Sequence, residues 1–215
     1  LRLDLDTIDI LYLHRWDAET PLLETFETLS RLKETGKVRY IGVSNFAAWQ
    51  VMKAQGVANL VGTRIDIIQP MYSLIKRQAE VEIFPMALGE EIAVAPYSPL
   101  GSGLLTGKYL SGGTGRLSTD KRYAARYGQD WMVDTAQRLS GIAIEMGIDA
   151  ATLAVAWAAQ HTAVTAPIIS ARSVAQLQPS LEAGNLTLTD EEYDRSEALS
   201  VRPAPATDRL EEAVV

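Results

Sequence analysis

Five times along this chain a short apolar or β-branched run gives way to a stretch of helical period, and each run closes on polar residues. Residues 7–13 (TIDILYL) end at His14-Arg15-Trp16-Asp17. Residues 38–43 (VRYIGV) end at Ser44-Asn45-Phe46. Residues 66–70 (DIIQP) carry Gln69 and run into Met71-Tyr72-Ser73. Residues 93–95 open into Tyr97-Ser98, and residues 163–171 (AVTAPIISA) end at Ser170 to Arg172. Strands separated by helices run parallel, because a helical crossover returns the chain to the same end of the sheet in a right-handed sense. The order therefore predicts an α/β fold around a parallel sheet.

The intervening helices are read from their caps and stripes. Thr20 is placed as an N-cap with Pro21 at the first helical position, ahead of the stripe Leu22, Phe26, Leu29, Leu32 and a stop at Gly36. A second helix covers 47–58. Residues 79–92 read as one helix kinked at Pro85. Residues 132–146 carry Leu139, Ile142 and Met146 on one face, and Asp149 caps an Ala-rich helix to Gln160. His161 follows at that helix's C-terminus, where a cation is favoured, and is given no chemistry. Ser173 caps a helix to Glu182, and Thr189-Asp190-Glu191-Glu192 is a capping box for a last helix to Leu199. The chain is expected to be one domain over 1–215, with a mobile polar tail at 202–215.

Two architectures share this order: a doubly wound sheet and a (β/α)8 barrel. No GxGxxG separates an early strand from its helix, which argues against the first. Polar groups at the C-terminal end of every strand argue for the second, since a barrel gathers its active site there. A barrel takes eight strands and about 250 residues. Five strands in 215 residues, with an apolar Leu1-Leu3-Leu5 start and no Met, lead to the expectation that three strands lie upstream of this chain. With 47% hydrophobic and 22% charged residues, the composition is that of a globular domain with a sizeable core. A net charge of −7 argues against nucleic acid or an anionic membrane as partner. No Cys and only two His argue against thiolate chemistry and a metal centre. A cytoplasmic setting is expected, and oligomeric state is left open.

Residues 93–109 (AVAPYSPLGSGLLTGKY) concentrate the chemistry. An apolar strand stops at Pro99 and opens into a loop with Gly101 and Gly103, where backbone N–H groups can approach a ligand closely. Ser98 and Ser102 add hydroxyls, a composition suited to phosphate oxygens. Tyr97 offers a flat ring for a heterocycle. Taken alone, the stretch reads first as a turn after a core strand, because an isolated Gly-rich loop is a weak signal.

Together the strand ends resemble the aldo-keto reductase family, closest in wording to its bacterial and potassium-channel-β-like branch. The resemblance is carried by DILYLHRWD at 9–17, GKVRYIGVSNF at 36–46, IIQPMYS at 67–73, YSPLGSGLLTGKY at 97–109 and IISARSVAQL at 168–177, which match that barrel's fourth to eighth strands in order. It implies a (β/α)8 TIM barrel with strands 4–8 present and 1–3 absent from this chain. It also implies NADPH-dependent reduction of an aldehyde or ketone to an alcohol, with a small carbonyl compound as partner. His14 would be the catalytic group that polarises the carbonyl, with Trp16 on the substrate. Ser44, Asn45 and Gln69 would bind the nicotinamide carboxamide, which needs both donors and acceptors. Tyr97 would stack on the ring. Ser98, Leu100, Gly101, Ser102 and Gly103 would hold the pyrophosphate, with Lys108 a weaker phosphate candidate. Ser170 lies in the adenosine-binding turn, Arg172 matches the 2′-phosphate partner, and Gln176 and Ser180 face the adenine.

The chain departs from the family in three ways. Ser170 stands where the family has Gly. Ser180 stands where it has Asn, at a cost of about 1 kcal/mol in cofactor affinity. No segment matches the family's Asp and Tyr of the second strand or Lys of the third, and neither Tyr12 nor Tyr72 sits in the motif of the missing tyrosine. Two further readings therefore stand beside the reductase: an NADP(H)-binding, redox-sensing or channel-associated subunit without turnover, and an inactive fragment.

Overall fold

The computed structural model describes residues 4–209 and 211. The chain divides into two compact units, Leu1–Pro70 with Glu82–Ala95, and Met71–Val81 with Pro96–Val215. The first unit holds the sheet: β1 (Ile8–Leu13), β2 (Val38–Ser44), β3 (Ile67–Gln69) and β4 (Ala93–Val94), all parallel in the order β1-β2-β3-β4. Helices α1 (Leu22–Glu34), α2 (Ala48–Leu60) and α3 (Ile83–Gly89) make the crossovers. Ile41 and Val43 of β2, Ile68 of β3 and Val94 of β4 are fully buried, as are Phe26 of α1 and Val51 and Ala54 of α2. Each of these side chains larger than alanine contributes about 1.5–3 kcal/mol on leaving water. On the opposite face Ile10 and Tyr40, paired in register, remain 38% and 53% exposed. Tyr12 aligns with Gly42. A Cβ on Gly42 would stand 2.5 Å from the Tyr12 ring, so glycine is what lets that ring lie across β2.

Asp66 anchors the start of β3. Its Oδ2 accepts from the Ile41 N–H at 2.8 Å and from Lys33 Nζ at 3.3 Å, while its own N–H donates to the Ile41 carbonyl at 2.8 Å.

The second unit is helical: α4 (Arg116–Thr119), α5 (Lys121–Tyr127), α6 (Asp130–Met146), α7 (Ala150–Gln160), α8 (Val174–Glu182) and α9 (Asp190–Glu197). Residues 151–158 of α7 are buried on every side, which its alanines allow because α6 and α8 can pack close. Tyr72, Trp157 and Tyr193 stack in series, with centroids 5.2 and 5.8 Å apart. Beside them Arg77, 4% exposed, makes a bidentate pair with Glu80, Nε to Oε1 and Nη2 to Oε2 both at 2.8 Å, and a further ion pair with Glu197. The Tyr72 hydroxyl donates to Glu80 at 2.9 Å. No single helix among the described residues is long and apolar enough to cross a membrane.

Four sequence expectations are corrected. Thr20 is no N-cap: its hydroxyl donates to Asp17 Oδ2 at 2.7 Å, and α1 starts one residue after Pro21. Residues 79–92 are not one kinked helix. A 3-10 turn at Gln78–Glu80 precedes α3, where Pro85 falls in the first turn and costs no hydrogen bond. Residues 163–171 form no strand; Ile168 alone bridges to Tyr97, its N–H donating to the Pro96 carbonyl at 2.8 Å. Pro167 has no N–H to extend that pairing. Lastly, His161 is not a favoured cation: burial pushes its pKa down, and its Nδ1 accepts from the Ala163 N–H at 3.2 Å.

Candidate active site

The polar strand ends of the first unit are stitched to one another. Ser44 aligns with Gln69 across the ladder, and its hydroxyl donates to the Gln69 carbonyl at 2.9 Å. Asn45 follows with φ 57°, a left-handed conformation that asparagine tolerates better than most residues. That turn aims its Nδ2 at the His14 carbonyl (2.9 Å) and at Ser44 Oγ (3.1 Å). The structure thus brings His14, Ser44, Asn45 and Gln69 together at the C-terminal ends of β1, β2 and β3. Burial raises the Tyr12 hydroxyl's pKa, and a hydrogen bond with the Gln69 side chain pulls part of the way back. Trp16 packs edge-on against Phe46 at 5.3 Å and tilted against Trp49 at 5.7 Å. Trp49, 61% exposed, went unassigned in the sequence because helical spacing alone places it as an ordinary apolar residue.

In the second unit Tyr97 is held on both sides, bridged to Met71 and to Ile168. The Tyr72 N–H donates to its carbonyl at 3.2 Å. Beyond it the backbone turns left-handed repeatedly, with φ 61° at Ser98, 53° at Gly101, 57° at Ser102 and 88° at Gly103. A Cβ on Gly101 would meet Ile75 Cδ1 at 2.5 Å, so only glycine fits there. Among the described residues, two of the six non-glycine residues with positive φ fall in this loop, and Asn45 is a third. Backbone strain of that kind concentrates where a ligand is held. Ser102 Oγ is buried without a hydrogen-bond partner. A buried hydroxyl of that kind is costly unless something accepts from it, and a phosphate oxygen would. Lys108 Nζ lies over the Tyr109 ring at 4.7 Å and close to Gly103, where a Cβ would approach it to 3.2 Å. Leu100 is half-buried between these turns.

The adenosine-side candidates are placed less uniformly. Arg172 is exposed, and its backbone N–H donates to Gln176 Oε1 at 3.3 Å, so these two are joined through the main chain. Ser173 caps α8 by accepting from the Gln176 N–H at 3.3 Å. Ser170 is exposed, whereas Ser180, 3% exposed, is buried in α8.

Residues 1–201 match the Aldo/keto reductase family. The chain belongs to that family. Among similar aldo/keto reductase relatives, a probable voltage-gated potassium channel subunit beta from Arabidopsis thaliana is 35% identical over 85% of this chain and 58% of its own length. The oxidoreductase YrpG of Bacillus subtilis (strain 168) is 34% identical over 88% of this chain and 57% of its own. A versiconal hemiacetal acetate reductase from Aspergillus parasiticus is 33% identical over 86% and 55%. The chain therefore spans somewhat more than half the length of these relatives.

Proposed function

We propose that this aldo/keto reductase chain binds NADPH and acts in the reduction of an aldehyde or ketone to an alcohol. The observation that carries the cofactor assignment is the loop after Tyr97, where the backbone turns left-handed repeatedly and the Ser102 hydroxyl is buried without a partner. Ser98, Leu100, Gly101, Ser102, Gly103 and Lys108 would hold the pyrophosphate, and Tyr97 would support the nicotinamide. Ser44, Asn45 and Gln69 suit its carboxamide. Arg172 suits a 2′-phosphate through a bidentate, charge-assisted pair, with Ser170, Gln176 and Ser180 around the adenosine. Bound NADPH would supply a hydride to the carbonyl carbon. His14, exposed at the end of β1, donates an N–H to the carbonyl oxygen as negative charge develops there, with Trp16 and its aromatic neighbours against the substrate.

The proton is assigned elsewhere. Burial raises the hydroxyl pKa of Tyr12, and of Tyr72 far more, so both are poor donors. We assign the donor to the tyrosine that the family carries on its second strand, a motif that no segment of this chain matches. Because no segment of this chain matches that motif, and because two similar relatives are named probable voltage-gated potassium channel beta subunits, a chain that binds NADP(H) without turnover is the second reading.

Titrating NADPH while following its fluorescence tests the first step. Saturable binding is expected, weakened about two- to tenfold by Tyr97→Ala, which removes ring stacking worth about 0.5–1.5 kcal/mol. No saturable binding, or an unaffected Tyr97→Ala, overturns the assignment. Reduction of a small aldehyde, abolished by His14→Ala, separates the reductase from the non-turnover reading.

A further inference from the structure

Residues 108–126 carry Lys108, Arg116, Lys121, Arg122 and Arg126 against the single carboxylate of Asp120, in a chain whose net charge is −7. Asp120 is taken by Arg122 at 2.8 Å. Among the described residues no carboxylate pairs with Arg116, Arg126 or Lys76. These cations lie on tyrosines instead. The guanidiniums of Arg116 and Arg126 share one ring, Tyr123, at 5.5 and 5.6 Å, and Lys76 Nζ sits 5.6 Å from the centre of Tyr127.

The cluster leads to Tyr97. Tyr127 is fully buried, and its hydroxyl meets Met71 Sδ at 3.5 Å. Met71 is bridged to Tyr97. Electrostatics agree with this proximity. Burial pushes the ammonium pKa of half-buried Lys76 down and the positive Arg126 pushes it further, while Arg126 draws the Tyr97 hydroxyl pKa back down against its own burial. Cations gathered around aromatic rings with no counter-charge make a positive potential that an anion relieves.

We propose that Lys76 and Arg126 bind the acid group of the substrate, so that the compound reduced is a carboxylate-bearing aldehyde or ketone. The inference rests on the reading of Tyr97 as the support for the nicotinamide. Arg126 offers the planar fork that a carboxylate accepts in bidentate fashion, and Lys76 adds a point charge. Tyr97 and Tyr123, both half-buried, leave ring surface for the carbon skeleton.

The test uses the chain saturated with NADP+, which cannot reduce an aldehyde. Binding of 4-carboxybenzaldehyde and of benzaldehyde is measured by calorimetry. The carboxylate is expected to bind at least about tenfold tighter, the scale of one charge-assisted hydrogen bond. Arg126→Gln and Lys76→Gln should each remove most of that preference while leaving benzaldehyde and NADP+ binding intact, and Arg126→Lys should restore part of it. Equal binding of the two aldehydes overturns the proposal. So do variants that keep the preference, or variants that weaken NADP+ instead, which would assign these cations to the cofactor's phosphates. If NADP+ does not bind but 4-carboxybenzaldehyde does, and Arg126→Gln abolishes it, the cofactor reading falls and the anion site stands.

Discussion

Where β3 begins, Asp66 takes the Ile41 N–H at 2.8 Å, returns its own N–H to the Ile41 carbonyl, and meets Lys33 and Arg64 at 3.3 and 3.9 Å. Where β1, β2 and β3 finish, Ser44 and Asn45 spend their side chains on the main chain of Gln69 and His14, and Asn45 sits at φ 57°. The first end satisfies its polar groups with charge. The second accepts strain to hold polar side chains in place. One sheet thus keeps stability at one end and presentation at the other, the division expected when ligands approach the C-terminal ends of parallel strands.

Asp66→Ala attacks the first end and carries the largest expected effect. The Ile41 N–H, in a residue with no exposed surface, is left without an acceptor, and Lys33 loses its partner. Urea denaturation should show a loss of about 2–3 kcal/mol, with NADPH affinity of the folded protein unchanged. A matching loss of affinity would mean the two ends are not separable.

Ser102→Gly probes presentation with the opposite sign. It relieves a left-handed φ of 57° and removes a buried, unpartnered hydroxyl. Stability should rise by about 1 kcal/mol after glycine's entropic cost, while NADPH binds more weakly. A variant that is both less stable and tighter-binding would reverse the assignment of this loop.

A smaller effect sharpens the comparison through pH. Burial holds His161 below its ordinary value of 6.5. As the pH falls, the unfolded chain takes up a proton before the folded one does. The contribution is complete above 6.5 and drains as the pH drops from there towards the folded pKa. The melting temperature should therefore fall between pH 7 and pH 5 by more than in His161→Gln. An equal fall in both proteins would assign the acid sensitivity elsewhere.

These particulars show what the amino-acid sequence could convey. The caps at Asp149, Ser173 and Thr189 formed as read, with Asp149 taking the Ala151 N–H at 2.7 Å and Thr189 the Glu192 N–H at 3.3 Å. Both partners of such a bond lie within a few residues, so the local sequence is sufficient. Thr20 failed as a cap because Asp17 turns its hydroxyl back to donate there and the helix begins only after Pro21. Residues 163–171 failed as a strand because pairing depends on what lies alongside and on the N–H that Pro167 lacks. His161 was misjudged for the same reason, since burial is a tertiary property. At the candidate site the residue types and their order were legible. The left-handed turns at Asn45, Ser98 and Ser102 were not, because none of these residues is one whose identity demands positive φ. Nor was the convergence of Lys76 and Arg126, which lie 50 residues apart.

The ion pair between Arg77 and Glu197 joins residues 120 positions apart. At a synthesis rate of about 5–20 residues per second, Glu197 leaves the ribosome roughly ten seconds after Arg77. Throughout that interval the guanidinium has only Glu80 for company and gains nothing by leaving water. The aromatic stack beside it stays open until α9 arrives, because Tyr193 belongs to that helix. Without α9, Trp157 would lack the ring of Tyr193 and Arg77 the carboxylate of Glu197.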